Sequence, residues 1–163
     1  DGNGVLLTYT NTRKYVNVTV TKELKDDPGK AGEFNFTGRL LDNGVDITDK
    51  VSDLSSFTIN VTNNTASKTF SIPVRSTLTI TEQPTPDQSA MYDTTYSPTG
   101  GTMTLTTAAE FKITNTRKKQ TVTITKELND VTATSAVSFP FTVTLYNADQ
   151  KATYNSYQLH YLY

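Results

Sequence analysis

Short runs of alternating apolar and polar residues recur along the chain. In the first run, Val16, Val18 and Val20 alternate with polar residues as far as Leu24. The same alternation marks six further sets, which are Phe34 and Phe36; Phe57, Ile59 and Val61; Phe70, Ile72 and Val74; Leu78 and Ile80; Met103 and Leu105; and Phe111 and Ile113. A period of two over short runs predicts β-strands with one buried face.

Turn-forming residues separate these predicted strands. They cluster at positions 26–29, 42–44, 62–65 and 98–101, where Asp, Asn, Pro and Gly are concentrated. No segment shows sustained helical periodicity. Many short strands joined by regular turns predict an all-β sandwich.

A long-period repeat organises the rest of the chain. Residues 9–24 read YTNTRKYVNVTVTKEL and residues 113–128 read ITNTRKKQTVTITKEL. Asn11 corresponds to Asn115 and Lys22 to Lys126, both at an offset of 104 residues. Such a period predicts a tandem repeat of sandwich domains. We therefore expect residues 1–13 to be the last strand of a preceding repeat, residues 14–118 a complete domain, and residues 119–163 the N-terminal part of a following repeat.

Composition narrows the possible functions. The 163 residues carry a net charge of −1 with acids and bases interspersed, which argues against nucleic acid as a partner. No apolar run approaches the roughly 20 residues that a membrane helix needs, so we expect no membrane insertion.

Cysteine is absent and His160 is the only histidine, so no thiolate site, histidine triad or zinc site is predicted. We expect no metal and no cofactor. Threonine makes up roughly a fifth of the chain, which favours strands.

Three polar residues share the parity of apolar runs. Lys22 lies on the face of the Val16 to Leu24 run, Glu82 follows Leu78 and Ile80, and Asn115 follows Phe111 and Ile113, so that each should point inward. Lys and Glu are rarely buried unless they are paired. Two simple interpretations are that the strands fray at these positions or that Lys22 and Glu82 form a buried ion pair.

A third interpretation is an intramolecular isopeptide bond. A desolvated lysine amine loses its charge and becomes nucleophilic. A buried, protonated carboxyl group can hydrogen-bond the asparagine carbonyl, polarise it, and then shuttle protons while ammonia leaves. A dry core excludes the competing hydrolysis. The reaction runs once per molecule, so it is self-crosslinking and not enzymatic turnover.

Residues 14–118 resemble the isopeptide-forming Cna B-type (FctA-like) pilin domains of Gram-positive surface proteins. The resemblance rests on the first strand VTVTKEL, the FNFTGRLLDNG hairpin, the ITE segment and the closing FKITNTR strand. It implies an Ig-like (Cna B-type) antiparallel sandwich. It also implies that the first-strand Lys22 joins the last-strand Asn115, with Glu82 assisting as proton shuttle.

The predicted function is a structural stalk or pilin-like module of a cell-surface adhesin that is extracellular and anchored to the cell wall. Neighbouring repeats of the same polypeptide are its expected partners. The alternative is a binding domain that recognises a glycan or a host protein, since sandwich folds host many functions. Asn11 and Lys126 are expected to be unpaired repeat equivalents of the crosslinking residues. Residues 1–13 could pair with residues 119–163, but no counterpart of Glu82 is present for a bond there.

Overall fold

A computed structural model describes residues 7–27, 29–125, 141–146 and 153–159. The chain divides into two compact units, Asp1–Gln120 and Thr121–Tyr163, and each is considered by itself. Lys126 and His160 lie outside the described residues. Across the described ranges, no helix is both long enough and apolar enough to cross a membrane.

The described residues of the first unit form nine strands and one short helix. In chain order they are β1 (Tyr15–Lys25), β2 (Gly32–Asp42), β3 (Val45–Asp46), β4 (Phe57–Val61), β5 (Thr65–Pro73), β6 (Thr77–Glu82), α1 (Pro86–Met91), β7 (Tyr92–Ser97), β8 (Thr102–Thr104) and β9 (Ala109–Arg117). Single 3₁₀ turns occupy Thr48–Lys50 and Thr99–Gly101. The strands predicted from the alternating runs are all present in this unit.

Two sheets form the sandwich of the first unit. One sheet has the strand order β5-β1-β9-β7, and the other has the order β3-β2-β6-β8 with β4 also paired to β2. Neighbouring strands are antiparallel except β1 and β9, which run parallel. The predicted all-β, Ig-like antiparallel sandwich is confirmed, whereas the tandem repeat stays a prediction.

The core consists of the inward faces of these strands. Because side chains alternate across a strand, every second residue of β1, β2 and β4 is buried. Phe57 stacks on Phe36 at 5.3 Å between ring centroids and meets the edge of Phe70 at 4.9 Å. Offset and edge-to-face aromatic pairs of this kind add to the stability that apolar burial provides.

The turn between β2 and β3 has the geometry that its sequence predicts. Asn43 has a φ of 47° and Gly44 a φ of 84°. Asparagine and glycine tolerate this left-handed region better than other residues, which is why Asn-Gly pairs close tight hairpins.

Helix α1 forms in a part of the chain where the sequence shows no helical periodicity. Thr85 accepts a hydrogen bond from the backbone of Gln88, and the Gln88 side chain accepts one from the backbone of Thr85. Pro86 occupies the first turn. This capping box with its proline is a helix-start signal that periodicity cannot detect in a helix of only six residues.

Residues 7–14 form no strand, and Asn11 is exposed. In the second unit, β10 (Phe141–Tyr146) pairs antiparallel with β11 (Thr153–Leu159). The three predicted domain ranges stay predictions.

Candidate functional site

Lys22 lies in the middle of the core on β1. Its side chain is 0% exposed, and it shares the inward face with Val18, Val20 and Leu24. The Nζ atom lies 4.6 Å from the centroid of the Phe34 ring on β2. A lysine held between two sheets in this way has lost its hydration and needs a polar partner.

Glu82 provides that partner from the opposite sheet. It is the last residue of β6, pairs with Phe36 of β2, and is 4% exposed. Its Oε2 accepts a hydrogen bond from Lys22 Nζ at 2.8 Å, and its Oε1 accepts one from Asn115 Nδ2 at 2.9 Å. One buried carboxyl group therefore bridges the lysine and the asparagine.

Asn115 completes the site from β9. It is 1% exposed and lies between Leu24 of β1 and Thr94 of β7 in the register of the sheet. The Thr94 Oγ1 hydroxyl donates to Asn115 Oδ1 at 2.9 Å. In the isopeptide interpretation of the sequence, the carboxyl group hydrogen-bonds the asparagine carbonyl. The structure differs, because Glu82 accepts from the amide nitrogen and a threonine occupies the carbonyl oxygen.

Burial sets the electrostatics of the lysine. Desolvation lowers the pKa of Lys22 from 10.5 to about 8, and the hydrogen bond and charge of Glu82 oppose this shift. Near neutral pH, a larger fraction of Lys22 is therefore in the neutral amine form than for a lysine in water. Among the described residues, no buried side-chain nitrogen or oxygen lacks a hydrogen-bond partner, so the three polar groups satisfy one another together with Thr94.

The structure brings together Lys22, Glu82 and Asn115 and leaves Asn11 apart from them. Fraying of the strands is excluded as an explanation, because all three side chains are buried within regular strands. The buried ion pair between Lys22 and Glu82 is present, with Nζ and Oε2 2.8 Å apart. Lys126, the other repeat equivalent, lies outside the described residues.

Sequence reasoning missed Thr94. Threonine is abundant in this chain, and Thr94 is one of a pair with Thr95 between Tyr92 and Tyr96. The signal that identifies it is the register of β7 against β9, which sets Thr94 directly opposite Asn115. That register comes from the tertiary structure.

Metal ligands are not assembled in the part of the chain that the structure describes. No group of three or more His, Cys, Asp or Glu side chains there could hold an ion. The chemistry available to the site is that of an amine, a carboxyl group, an amide and a hydroxyl.

Comparisons with known proteins bear on the fold. No protein-family model and no curated protein matches the chain. The pilus-presented adhesin Cpa of Streptococcus pyogenes matches with a TM-score of 0.50 and 16% identity, over 64% of this chain and 27% of the adhesin. The major pilin (T-13) of Streptococcus pyogenes matches with a TM-score of 0.43 and 16% identity, over 64% of this chain and 46% of the pilin. The chain thus spans about a quarter of the adhesin structure that it matches. It has the sandwich fold found in a pilus adhesin, and its resemblance to Cna B-type pilin domains is confirmed at the level of fold.

Proposed function

We propose that the first unit is a load-bearing stalk module of an extracellular, pilin-like or adhesin protein, stabilised by an isopeptide bond between Lys22 and Asn115. The observation that carries the proposal is the single buried carboxyl group of Glu82, which hydrogen-bonds both the amine and the amide. The cell-surface setting is supported by the pilus proteins that share the fold.

The reaction balances with the groups in the site. Glu82 takes a proton from the Lys22 ammonium, and the neutral Nζ attacks Asn115 Cγ. The carbonyl π electrons move to Oδ1 as the new C–N bond forms. Glu82 then delivers the proton to Nδ2, the Cγ–Nδ2 bond breaks, and ammonia leaves. Ammonia takes up the proton that the attacking nitrogen still carries, so the products are a neutral secondary amide, ammonium and the Glu82 carboxylate.

The hydrogen-bond pattern supports this proton path. Oε2 lies at the nucleophile and Oε1 at the leaving nitrogen, 2.8 Å and 2.9 Å away. Both distances suit general acid–base catalysis, and the lowered pKa of Lys22 favours the nucleophilic form. Burial of the three groups keeps competing water out of the site.

The position of the bond suits a mechanical function. β1 follows the N-terminal segment and β9 ends the first unit, and the two strands are parallel neighbours. A force applied along the chain would slide β1 and β9 past each other. A covalent bond between them would carry that force directly, and the rest of the sandwich would stay out of the load path. Neighbouring repeats of the same polypeptide are the partners that would transmit the force.

Single-molecule pulling tests the stalk function. In the wild-type chain, the roughly 90 residues between Lys22 and Asn115 should never extend, because the bond bypasses them. An Asn115→Ala chain lacks the electrophile and should release them, lengthening by on the order of 300 Å. Release of the same length by the wild-type chain would rule out a load-bearing bond.

A binding module is the second function that the fold allows. Tyr9 and Tyr15 are the exposed aromatic residues at the start of the described chain, at 85% and 58% exposure. Among the residues whose burial the structure describes, two exposed tyrosines are too few for a clustered aromatic surface of the kind that would favour glycan binding, so the stalk is the function we propose.

A further inference from the structure

Attack of an amine on an amide builds negative charge on the carbonyl oxygen. In acyl-transfer reactions, a hydrogen-bond donor placed at that oxygen stabilises the transition state. At this site the oxygen is Asn115 Oδ1. Glu82 cannot serve it in the observed arrangement, because both of its oxygens accept hydrogen bonds from nitrogen atoms.

Thr94 is placed at the carbonyl oxygen. Its Oγ1 donates to Oδ1 over 2.9 Å, within the range of a good O–H···O bond. Thr94 lies on β7 directly opposite Asn115 of β9, so the two side chains extend from the same face of the sheet. Among the described residues, Thr94 provides the one side-chain hydroxyl that donates to this oxygen.

We propose that Thr94 is a catalytic residue of the crosslinking reaction, which donates a hydrogen bond to the oxyanion that forms at Asn115 Oδ1. This inference rests on the proposed isopeptide bond. Two side chains then assist different parts of the reaction. Glu82 moves the proton from the lysine to the leaving nitrogen, while Thr94 holds the oxygen and gives up no proton.

The same hydrogen bond fixes the orientation of the amide. With Oδ1 held by a donor, Nδ2 must face Glu82, which only accepts in this arrangement. The leaving nitrogen is therefore presented to the group that protonates it. Replacement of the hydroxyl by a methyl group removes both effects at once without changing the shape of the side chain.

The test is the rate of crosslinking in freshly made full-length chain. The chain is synthesised in a cell-free system, and samples are quenched with acid at intervals. The intact mass of each sample is then measured, so that loss of ammonia is followed over time. Thr94→Val keeps the branched shape and suits a strand equally well. Thr94→Ser keeps the hydroxyl. Thr95→Val is the matched control, because the adjacent, exposed Thr95 points to the opposite face of β7.

Loss of one oxyanion donor typically slows a reaction by about 10²–10³-fold. Thr94 itself is exposed, where solvent weakens electrostatic effects. We therefore expect Thr94→Val to slow crosslinking by roughly tenfold to a hundredfold. Thr94→Ser should stay within the same order of magnitude as the wild-type chain, and Thr95→Val should match it.

Rates are expressed per folded chain, with the folded fraction measured by resistance to a protease, so that any folding defect is separated from the chemistry. Equal rates per folded chain for Thr94→Val and wild type would overturn the function assigned to Thr94 while leaving the bond itself intact. A wild-type chain that never loses ammonia would instead overturn the proposed function on which the inference rests.

Discussion

The burial of Lys22 without a covalent bond costs free energy, because folding removes a charged amine from water. The pKa of Lys22 falls from 10.5 to about 8, which measures how strongly the folded state favours the neutral form. Conversion of the amine into an amide abolishes this cost permanently, since an amide carries no charge. At the scale of single residues, the proposed reaction would therefore leave the site more stable than it was before.

This cost predicts a pH dependence in the Asn115→Ala chain, which keeps Lys22 but cannot form the bond. Between pH 8 and 10.5, the unfolded chain holds a proton on Lys22 that the folded chain has released. The free energy of unfolding should therefore rise with pH across this window, by up to about 3 kcal/mol. Below about pH 8 the lysine is charged in both states and contributes no slope.

Urea unfolding at a series of pH values measures the effect. The control is the Lys22→Met/Asn115→Ala chain, which has no amine to titrate. Other groups, including Tyr92 and Tyr96, are common to both chains and cancel in the difference. The same slope in the two chains would mean that Lys22 is not held in a desolvated site.

At the scale of elements, the alternating pattern predicts the faces of the strands but not their neighbours. Parity alone places Lys22, Glu82 and Asn115 inward, and all three are buried. It does not reveal that β1 and β9 are adjacent and parallel, because strand pairing depends on contacts far apart in sequence. Thr94 was missed for the same reason. The carbonyl partner of Asn115 could be found only from the register of β7 and β9.

Helix α1 shows a second limit of periodicity and carries its own prediction. Thr85 caps the helix and Gln88 completes the capping box, and the strand with Thr94 follows directly. Replacement of Thr85 by Ala removes the side-chain acceptor and should lower the free energy of unfolding by about 1 kcal/mol. Thr85→Ser keeps the acceptor and should leave stability close to wild type. Equal losses for Ala and Ser in urea unfolding would show that the cap does not stabilise this segment.

At the scale of the whole molecule, the first unit contains every group that the proposed reaction uses. Lys22, Glu82, Asn115 and Thr94 all lie within the predicted domain 14–118. Of the contacts made from outside that range, Arg13 pairs with the Asp42 carboxylate and hydrogen-bonds the Val74 carbonyl and the Ser76 hydroxyl. Lys119 pairs with Asp26 at 2.7 Å. These contacts are partly exposed, and such interactions add little stability.

Residues 14–118 alone should therefore fold and lose one ammonia. Circular dichroism follows the folding, and intact mass follows the reaction. The control is the same fragment with Asn115→Ala, which should fold and keep its full mass. A folded 14–118 fragment that keeps its full mass, beside a full chain that loses ammonia, would show that residues outside the domain take part.

Intact mass of the full-length chain tests the crosslink most directly. The measured mass of the wild-type chain should be lower by one ammonia than the mass calculated from its sequence. Glu82→Gln should restore the full mass, while Glu33→Gln, which changes an exposed glutamate of β2, should keep the loss. Succinimide formation at Asn43-Gly44 would also release ammonia, so digestion must yield one joined peptide that contains both Lys22 and Asn115. A wild-type chain at its full sequence mass, with these two residues in separate peptides, would contradict the isopeptide bond.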